Sequence, residues 1–247
     1  MYRFFVDEKS IGENEIRLTG ENASHAHVLR LRVGEEIVTT VSGSGTDHIC
    51  AVTHLSKNQV TAKIVRKLEN PAELPFEIVL YQALPKGNKM NDIIEHVTEL
   101  GVARIVPIVT ARCTSRPADD AGKVARWQKI AESAAKLCHR GRVPQVDGIM
   151  TLEKALNDAL NFDTTFVCYE LEKARTLAAY LSEVELTKIE KMAFFVGSEG
   201  GFSREEAELF TERKIPTITL GSRILRCQSA AAAVLAGINY HLQGLDL

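Results

Sequence analysis

The spacing of apolar positions changes once along the chain. Before about residue 70 they fall in short runs: Tyr2-Arg-Phe-Phe-Val6, Glu36-Ile-Val-Thr-Thr-Val41, His48-Ile-Cys-Ala-Val-Thr53 and Val60-Thr-Ala-Lys-Ile-Val65. These runs are rich in β-branched and aromatic residues, and Gly43-Ser-Gly45 and Lys57-Asn58 separate them, so each predicts a strand. Short strands at this spacing predict a small β-barrel. Ala23–Leu31, carrying His25, His27 and Arg30, predicts a helical turn within it. Glu69-Asn-Pro-Ala-Glu-Leu-Pro75 has two prolines, which interrupt strand and helix alike, and reads as a linker.

Beyond the linker, strand-like and helix-like segments alternate. Strands are predicted at Phe76–Leu84, Arg104–Thr110, Thr165–Glu170, Met192–Gly197 and Pro216–Leu220. Met90, Ile93, Ile94, Val97 and Leu100 follow the first strand at helical spacing, and Gly101 stands at the C-terminal cap. Further helices are predicted from Trp127 to Cys138, at Leu152–Leu160, at Leu177–Val184 and at Ala230–Tyr240. Ser203-Arg-Glu-Glu206 is a capping box, with Phe202 placed to staple onto Ala207. Such alternation predicts an α/β domain with a mostly parallel sheet covered on both faces. The expected organisation is a barrel at residues 1–70, a linker at 71–75 and an α/β domain at 76–247.

Composition narrows the class without naming a chemistry. At 247 residues, 45% apolar and 25% charged, the chain is an ordinary globular protein. No apolar run spans a bilayer, and Met1–Ser10 lacks the apolar core of a secretory signal, so the expected location is the cytoplasm. The five cysteines are widely spaced without a CxxC, which argues against a disulfide framework or a metal site. Net charge is −2, yet between Arg112 and Arg142 eight Lys/Arg (Arg112, Arg116, Lys123, Arg126, Lys129, Lys136, Arg140, Arg142) face three acids (Asp119, Asp120, Glu132). A local basic stripe on a neutral protein suits RNA.

Two loops carry the candidate chemistry. Val196-Gly-Ser-Glu-Gly-Gly-Phe202 follows an apolar strand and precedes the capped helix. Its glycines permit positive φ and close approach of a ligand to the backbone, and ligands of open α/β sheets sit at the carboxyl ends of strands. The loop is neither a Walker A motif nor the GxGxxG fingerprint, nor the Gly-x-Ser-x-Gly elbow of hydrolases. Leu220-Gly-Ser-Arg-Ile-Leu-Arg226 repeats the logic after the next strand, with Arg223 and Arg226 flanking an apolar pair. Two adjacent strand-end loops of this kind point to a pocket for a nucleotide-like ligand.

With these loops in this order, the sequence resembles the RsmE family of SPOUT-class methyltransferases, over nearly its whole length. Arg3-Phe-Phe-Val6 and Val28-Leu-Arg-Leu-Arg-Val-Gly34 look like the family's N-terminal signatures. Leu84-Pro-Lys-Gly-Asn-Lys-Met90, Thr98-Glu-Leu-Gly101, Arg104-Ile-Val-Pro107, Trp127-Gln-Lys-Ile-Ala131 and Arg140-Gly-Arg-Val-Pro144 match its catalytic domain. The resemblance implies a PUA-like β-barrel and a C-terminal SPOUT α/β domain with a deep trefoil knot. It implies S-adenosylmethionine as cofactor, N3 of a uridine in 16S ribosomal RNA of the 30S subunit as acceptor, and a homodimer, with no metal and no membrane. Three places depart from the family pattern: Ser198 and Ser222 replace prolines, and Cys227-Gln228-Ser229 replaces Thr-Glu-Thr.

On this resemblance the expected cofactor-binding residues are Glu170, Val196, Gly197, Glu199, Gly200, Gly201, Leu220, Gly221, Ile224 and Leu225. Methylating N3 requires an in-line approach, loss of the N3 proton and stabilisation of charge on the ring oxygens. Arg226 is the expected stabiliser, its alternative being a salt bridge to the last helix. Glu199 is a candidate base or orienting group. Arg30, Arg32, Arg140 and Arg142 are the expected RNA contacts. His25 and His27 read as local structure, and Cys227 as a weaker, nucleophilic alternative. A ribosome-assembly factor with a vestigial pocket, and an enzyme using another adenine nucleotide, stay open as alternatives.

Overall fold

A computed structural model describes residues 1–114 and 120–243. Arg116 and Asp119 of the basic stripe lie outside the described residues. The chain divides into two compact units, Met1–Glu73 with Ala135–Val143, and Leu74–Ala134 with Pro144–Leu247.

The first unit is a curled, five-stranded sheet. Its strands are β1 (Tyr2–Phe5), β2 (Glu15–Thr19), β3 (Glu36–Thr40), β4 (Thr46–Ser56) and β5 (Gln59–Glu69), in the order β1-β3-β4-β5-β2, with helix α1 (Gly20–Val28) after β2. Only β1 and β3 run parallel. β1 and β2 are the edges, so the curl is not closed into a continuous barrel by a ladder between them. Sequence pattern misses β2, whose two inward residues, Ile16 and Leu18, alternate with Glu15, Arg17 and Thr19. These two join Phe4, Ile37, Cys50, Val52, Val60 and Ala62 in the unit's core.

A buried polar network also runs through this unit. Arg3 donates two hydrogen bonds to Asp47, at 2.6 and 2.7 Å, and Asn70 donates to the same carboxylate at 3.0 Å. Glu73 accepts from Arg140 and from the Gly141 and Arg142 amides, which holds the segment Ala135–Val143 in the unit. A bidentate arginine–carboxylate pair satisfies most of the polar atoms that burial would otherwise leave costly.

The second unit is a parallel sheet. Its strands are β6 (Glu77–Ala83), β7 (Arg104–Val109), β8 (Gln145–Val146), β9 (Met150–Thr151), β10 (Thr164–Cys168), β11 (Lys191–Val196) and β12 (Thr217–Ile218). The order is β12-β10-β11-β6-β7-β8, with β9 also on β7. Its helices are α2 (Lys89–Glu99), α4 (Leu152–Asp158), α5 (Leu177–Glu183), α6 (Arg204–Glu212) and α7 (Cys227–Gln243), together with most of α3 (Asp120–Leu137), whose last turn belongs to the first unit. β6 and β11 are buried almost throughout, which marks a sheet covered on both faces. α7 packs on α2 and α5.

Aromatic side chains tie the sheet to α6. Tyr81 stacks on Phe195 with centroids 4.4 Å apart, and Phe210 meets both Phe195 and Phe202 edge to face. Phe202 thus anchors on Phe210. Each such ring contributes about 1.5–3 kcal/mol by burial. Among the described residues no helix is long and apolar enough to cross a membrane.

Candidate active site

Strand order decides where the cavity lies. β11 and β12 are not neighbours, contrary to the expected adjacency of their loops; β10 runs between them. Three strand ends therefore meet, and a cavity of about 240 Å³ opens among Cys168–Glu170 with Lys173, Val196–Gly201 and Ile218–Leu225, with Cys227 and Ala230 of α7 behind them. Glu170, Val196, Gly197, Glu199, Gly200, Gly201, Leu220, Gly221, Ile224 and Leu225 all line it. Ile224 sits at the rim, 85% exposed, whereas Leu225 is half-buried. Tyr169 and Lys173 also line it and escape the sequence reading, because the loop after β10 has no glycine to draw attention to it; Ile218 and Thr219, at the end of β12, line it too.

The glycine loop is held from both ends. Its entry leaves β11 beside Gln82 of β6. At its exit the expected capping box forms: Ser203 Oγ accepts from the Glu206 amide at 3.2 Å, and Glu206 accepts from the Ser203 amide at 2.8 Å. The second oxygen of Glu206 accepts from the Ala111 amide at 2.7 Å, fastening the helix start to the chain after β7. Gly201 has φ +66°, and a Cβ there would lie 2.6 Å from Glu170 Oε2 and 2.7 Å from its Cδ. The left-handed backbone favours glycine, and a side chain there would also have to displace the end of Glu170.

Charged groups at the rim are mutually paired. Arg112 donates to the Gly200 carbonyl at 2.7 Å and lies 3.7 Å from Glu170 Oε1. Lys173 Nζ donates to the Glu170 carbonyl at 2.9 Å. Glu172 organises the same loop. It accepts from the Thr217 hydroxyl and from the Ala174, Arg175 and Lys173 amides. The Thr217 hydrogen bond, then the Ala174 and Arg175 amides, hold its pKa down to about 2.

Glu199 points away from the role of base. Its carboxylate accepts from Lys89 Nζ at 2.6 Å and from the Lys86 amide at 3.1 Å. Desolvation raises its pKa, but the Lys89 hydrogen bond and the backbone donors outweigh it and leave the carboxyl below its ordinary range. A carboxylate so satisfied is a poor proton acceptor and a good brace between the glycine loop and the start of α2. Cys227 is no better as a nucleophile: burial, and then the charge of Glu199, push its thiol up.

The remaining expected residues separate. Arg226 lies outside the cavity lining, just before α7; it is exposed, and its side chain has no hydrogen bond or ion pair among the described residues. The alternative salt bridge to the last helix is therefore not formed. Arg30, with φ +56°, and Arg32 are exposed after α1. Arg140 is a correction: it is 2% exposed and its guanidinium is bound by Glu73 at 2.6 Å, so it is not available to RNA phosphate. Arg142 is half-buried, close beside Gly43. No group of three His, Cys, Asp or Glu side chains among the described residues is placed to hold a metal ion.

This arrangement matches known proteins over both units. Residues 72–239 match the RNA methyltransferase domain family and residues 18–65 the RNA methyltransferase PUA domain family. The chain is 32% identical to ribosomal RNA small subunit methyltransferase E of Bacillus subtilis, over 98% of each chain. It is 30% identical to the protein of the same name from Synechocystis, over 98% of this chain and 78% of that one. Its structure superposes with a TM-score of 0.87, at 29% identity and over 98% of each chain, on ribosomal RNA small subunit methyltransferase E from Neisseria gonorrhoeae bound to S-adenosyl methionine. A strand-end cavity built on backbone, a PUA domain ahead of it and full-length relatives of one name converge: the chain belongs to the RsmE family of RNA methyltransferases.

Proposed function

We propose that this chain transfers a methyl group from S-adenosylmethionine to N3 of a uridine in 16S ribosomal RNA of the 30S subunit, in the cytoplasm and without a metal. The observation that carries the proposal is the cavity, with three strand-end loops presenting backbone and apolar side chains together. Val196, Ile218, Leu220 and Leu225 suit the purine and ribose of the cofactor, and Glu170 and Lys173 offer opposite charges to its zwitterionic end. Bound there, S-adenosylmethionine supplies an electrophilic methyl group on its sulfonium.

The residues of the chain then position and stabilise. Arg226, exposed and unpaired beside the cavity loops, neutralises charge developing on the uracil oxygens as the N3 proton leaves. Glu199 braces the glycine loop against Lys89 and does not take that proton. Arg30 and Arg32 contact RNA phosphate, with Arg142 in support. The proposal includes a trefoil knot at the C-terminus. Its support is the family to which the chain belongs, together with α7, which follows edge strand β12 and packs on α2 and α5. It includes a homodimer, which rests on the family resemblance.

Isothermal titration with S-adenosylmethionine tests the core of the proposal. Micromolar or tighter binding, followed by mass mapping of a methylated uridine after incubation with 30S particles, is the expected result. Undetectable binding, or binding of ATP in its place, overturns it.

A further inference from the structure

Strands β12, β10, β11 and β6 are consecutive and parallel, so the loop after β6 stands beside the glycine loop, on the side away from β10 and β12. That loop turns at Gly87, with φ +67°, and delivers Lys89 as the first residue of α2. A helix N-terminus carries partial positive charge, so a cation there runs against the helix dipole. Asp92 lies in the same turn, yet the Lys89 ammonium reaches across to the glycine loop and donates to Glu199 Oε1 at 2.6 Å. The Lys86 amide donates to the same oxygen at 3.1 Å and fixes the two loops together. Glu199 lines the cavity; Lys89 does not, and its side chain is 40% exposed. The ammonium therefore stands one hydrogen bond outside the cofactor cavity, in contact with solvent. An ammonium has three donors. Glu199 takes one, and among the described residues the other two meet no acceptor. Cys227, the residue after Arg226, is near enough that its thiol, raised first by burial, also feels the charges of Glu199 and Lys89.

We propose that Lys89 is a second catalytic cation: Glu199 holds its ammonium at the edge of the cavity, where a free donor bonds a ring oxygen of the acceptor uracil as N3 loses its proton. This rests on reading the cavity as the S-adenosylmethionine site and uridine N3 as the acceptor. With the cofactor inside the cavity, the uracil approaches from the open side, where Lys89 and Arg226 both lie outside the lining. In the step, the N3–H bond breaks and its proton passes to water. The electron pair left on N3 forms the bond to the methyl carbon, and the sulfur–carbon bond breaks with its pair returning to sulfur. Negative charge builds on O2 and O4 as the proton leaves. Arg226 from the loop before α7 and Lys89 from the start of α2 then give each oxygen a cationic partner. Glu199 acts through Lys89, which it positions by a charged hydrogen bond.

The test is methylation of 30S particles reconstituted with 16S ribosomal RNA transcribed from either uridine or 5-fluorouridine triphosphate, with S-adenosylmethionine titrations and thermal melts alongside. Fluorine at C5 withdraws electrons and makes N3–H more acidic, so it supplies part of what a cation supplies. Lys89→Met keeps the aliphatic stem and removes the charge; on uridine its kcat should fall about 10²-fold with cofactor Kd unchanged. On 5-fluorouridine that deficit should shrink to about tenfold, a gain that a purely structural brace would not produce. Lys89→Arg keeps a charged donor and should recover about tenfold on uridine. Wild-type protein that does not bind S-adenosylmethionine, or that methylates an atom other than N3, overturns the proposed function and this inference together. Wild type that methylates N3, with kcat unchanged in Lys89→Met or with the same deficit on both RNAs, overturns this inference alone. If Lys89→Met does not fold, Lys89→Gln, whose carboxamide can still donate to Glu199, carries the same comparison.

Discussion

Replacing Gly201 with alanine tests the geometry on which the cavity depends. Two costs add. An L-residue at φ +66° loses about 1–2 kcal/mol against glycine. The new methyl would also sit 2.6 Å from Glu170 Oε2, well inside van der Waals contact, so the carboxylate must move. That movement disturbs the approach to Arg112 at 3.7 Å, and overpacking of this kind costs about 1–3 kcal/mol. The sum is about 2–5 kcal/mol, a fall in melting temperature on the order of 10 °C for a chain of this size. Because the loop lines the cavity from Val196 to Gly201, S-adenosylmethionine affinity should fall at least about tenfold. The second cost can be isolated. In the Glu170→Ala background the methyl has no carboxylate to meet, and Gly201→Ala should then destabilise by only about 1–2 kcal/mol, a coupling visible in a double-mutant cycle of thermal melts. Gly148→Ala, where a Cβ meets nothing within 4 Å, is the control. Wild-type melting and affinity in Gly201→Ala, or full additivity with Glu170→Ala, would refute the close packing of these two residues as the reason for glycine.

Three further outcomes are expected. Arg226→Ala should melt within about 0.5 kcal/mol of wild type, because the side chain has no partner to lose. Its kcat should fall by about 10²-fold with cofactor Kd unchanged; a rise in Kd alone would assign Arg226 to binding. Arg140→Ala should destabilise the first unit by about 1–3 kcal/mol, since the part-buried Glu73 carboxylate keeps only the Gly141 and Arg142 amides; a folded variant with normal melting and weakened RNA binding would restore its role as an RNA contact. Glu172 has a folded pKa held down to about 2, below its unfolded value, so its contribution to stability is present above the unfolded pKa and is lost as pH falls through the folded one. Glu172→Gln should therefore be less stable than wild type at neutral pH, and the gap should close between about pH 4.5 and 2; a gap independent of pH would contradict the hydrogen-bonded carboxylate.

The sequence by itself determined the element types and the chemistry of the two glycine loops. Helix and strand periods follow from local geometry, so α2 could be placed from Met90, Ile93, Ile94 and Val97, and the capping box from Ser203 and Glu206. It located the glycine-rich loop because positive φ at Gly201 leaves a residue-type signature. What it could not determine was which elements lie side by side. β2 was hidden because Ile16 and Leu18 are its only inward-facing residues. The strand order put β10 between β11 and β12, and so brought Tyr169, Glu170 and Lys173, a loop with no glycine signal, into the cavity wall. Tertiary contacts also reassigned charge. Arg140 looks like an RNA contact beside Arg142, yet Glu73, 67 positions away, takes its guanidinium. Glu199 looks like a base in a flexible loop, yet Lys89, 110 positions away, makes it a brace. Arg226, with the same residue chemistry as Arg140, is left open at the rim. A side chain's type sets what it can do; a partner distant in sequence decides whether it is free to do it, because electrostatic pairing depends on separation in space and the chain records only separation along itself.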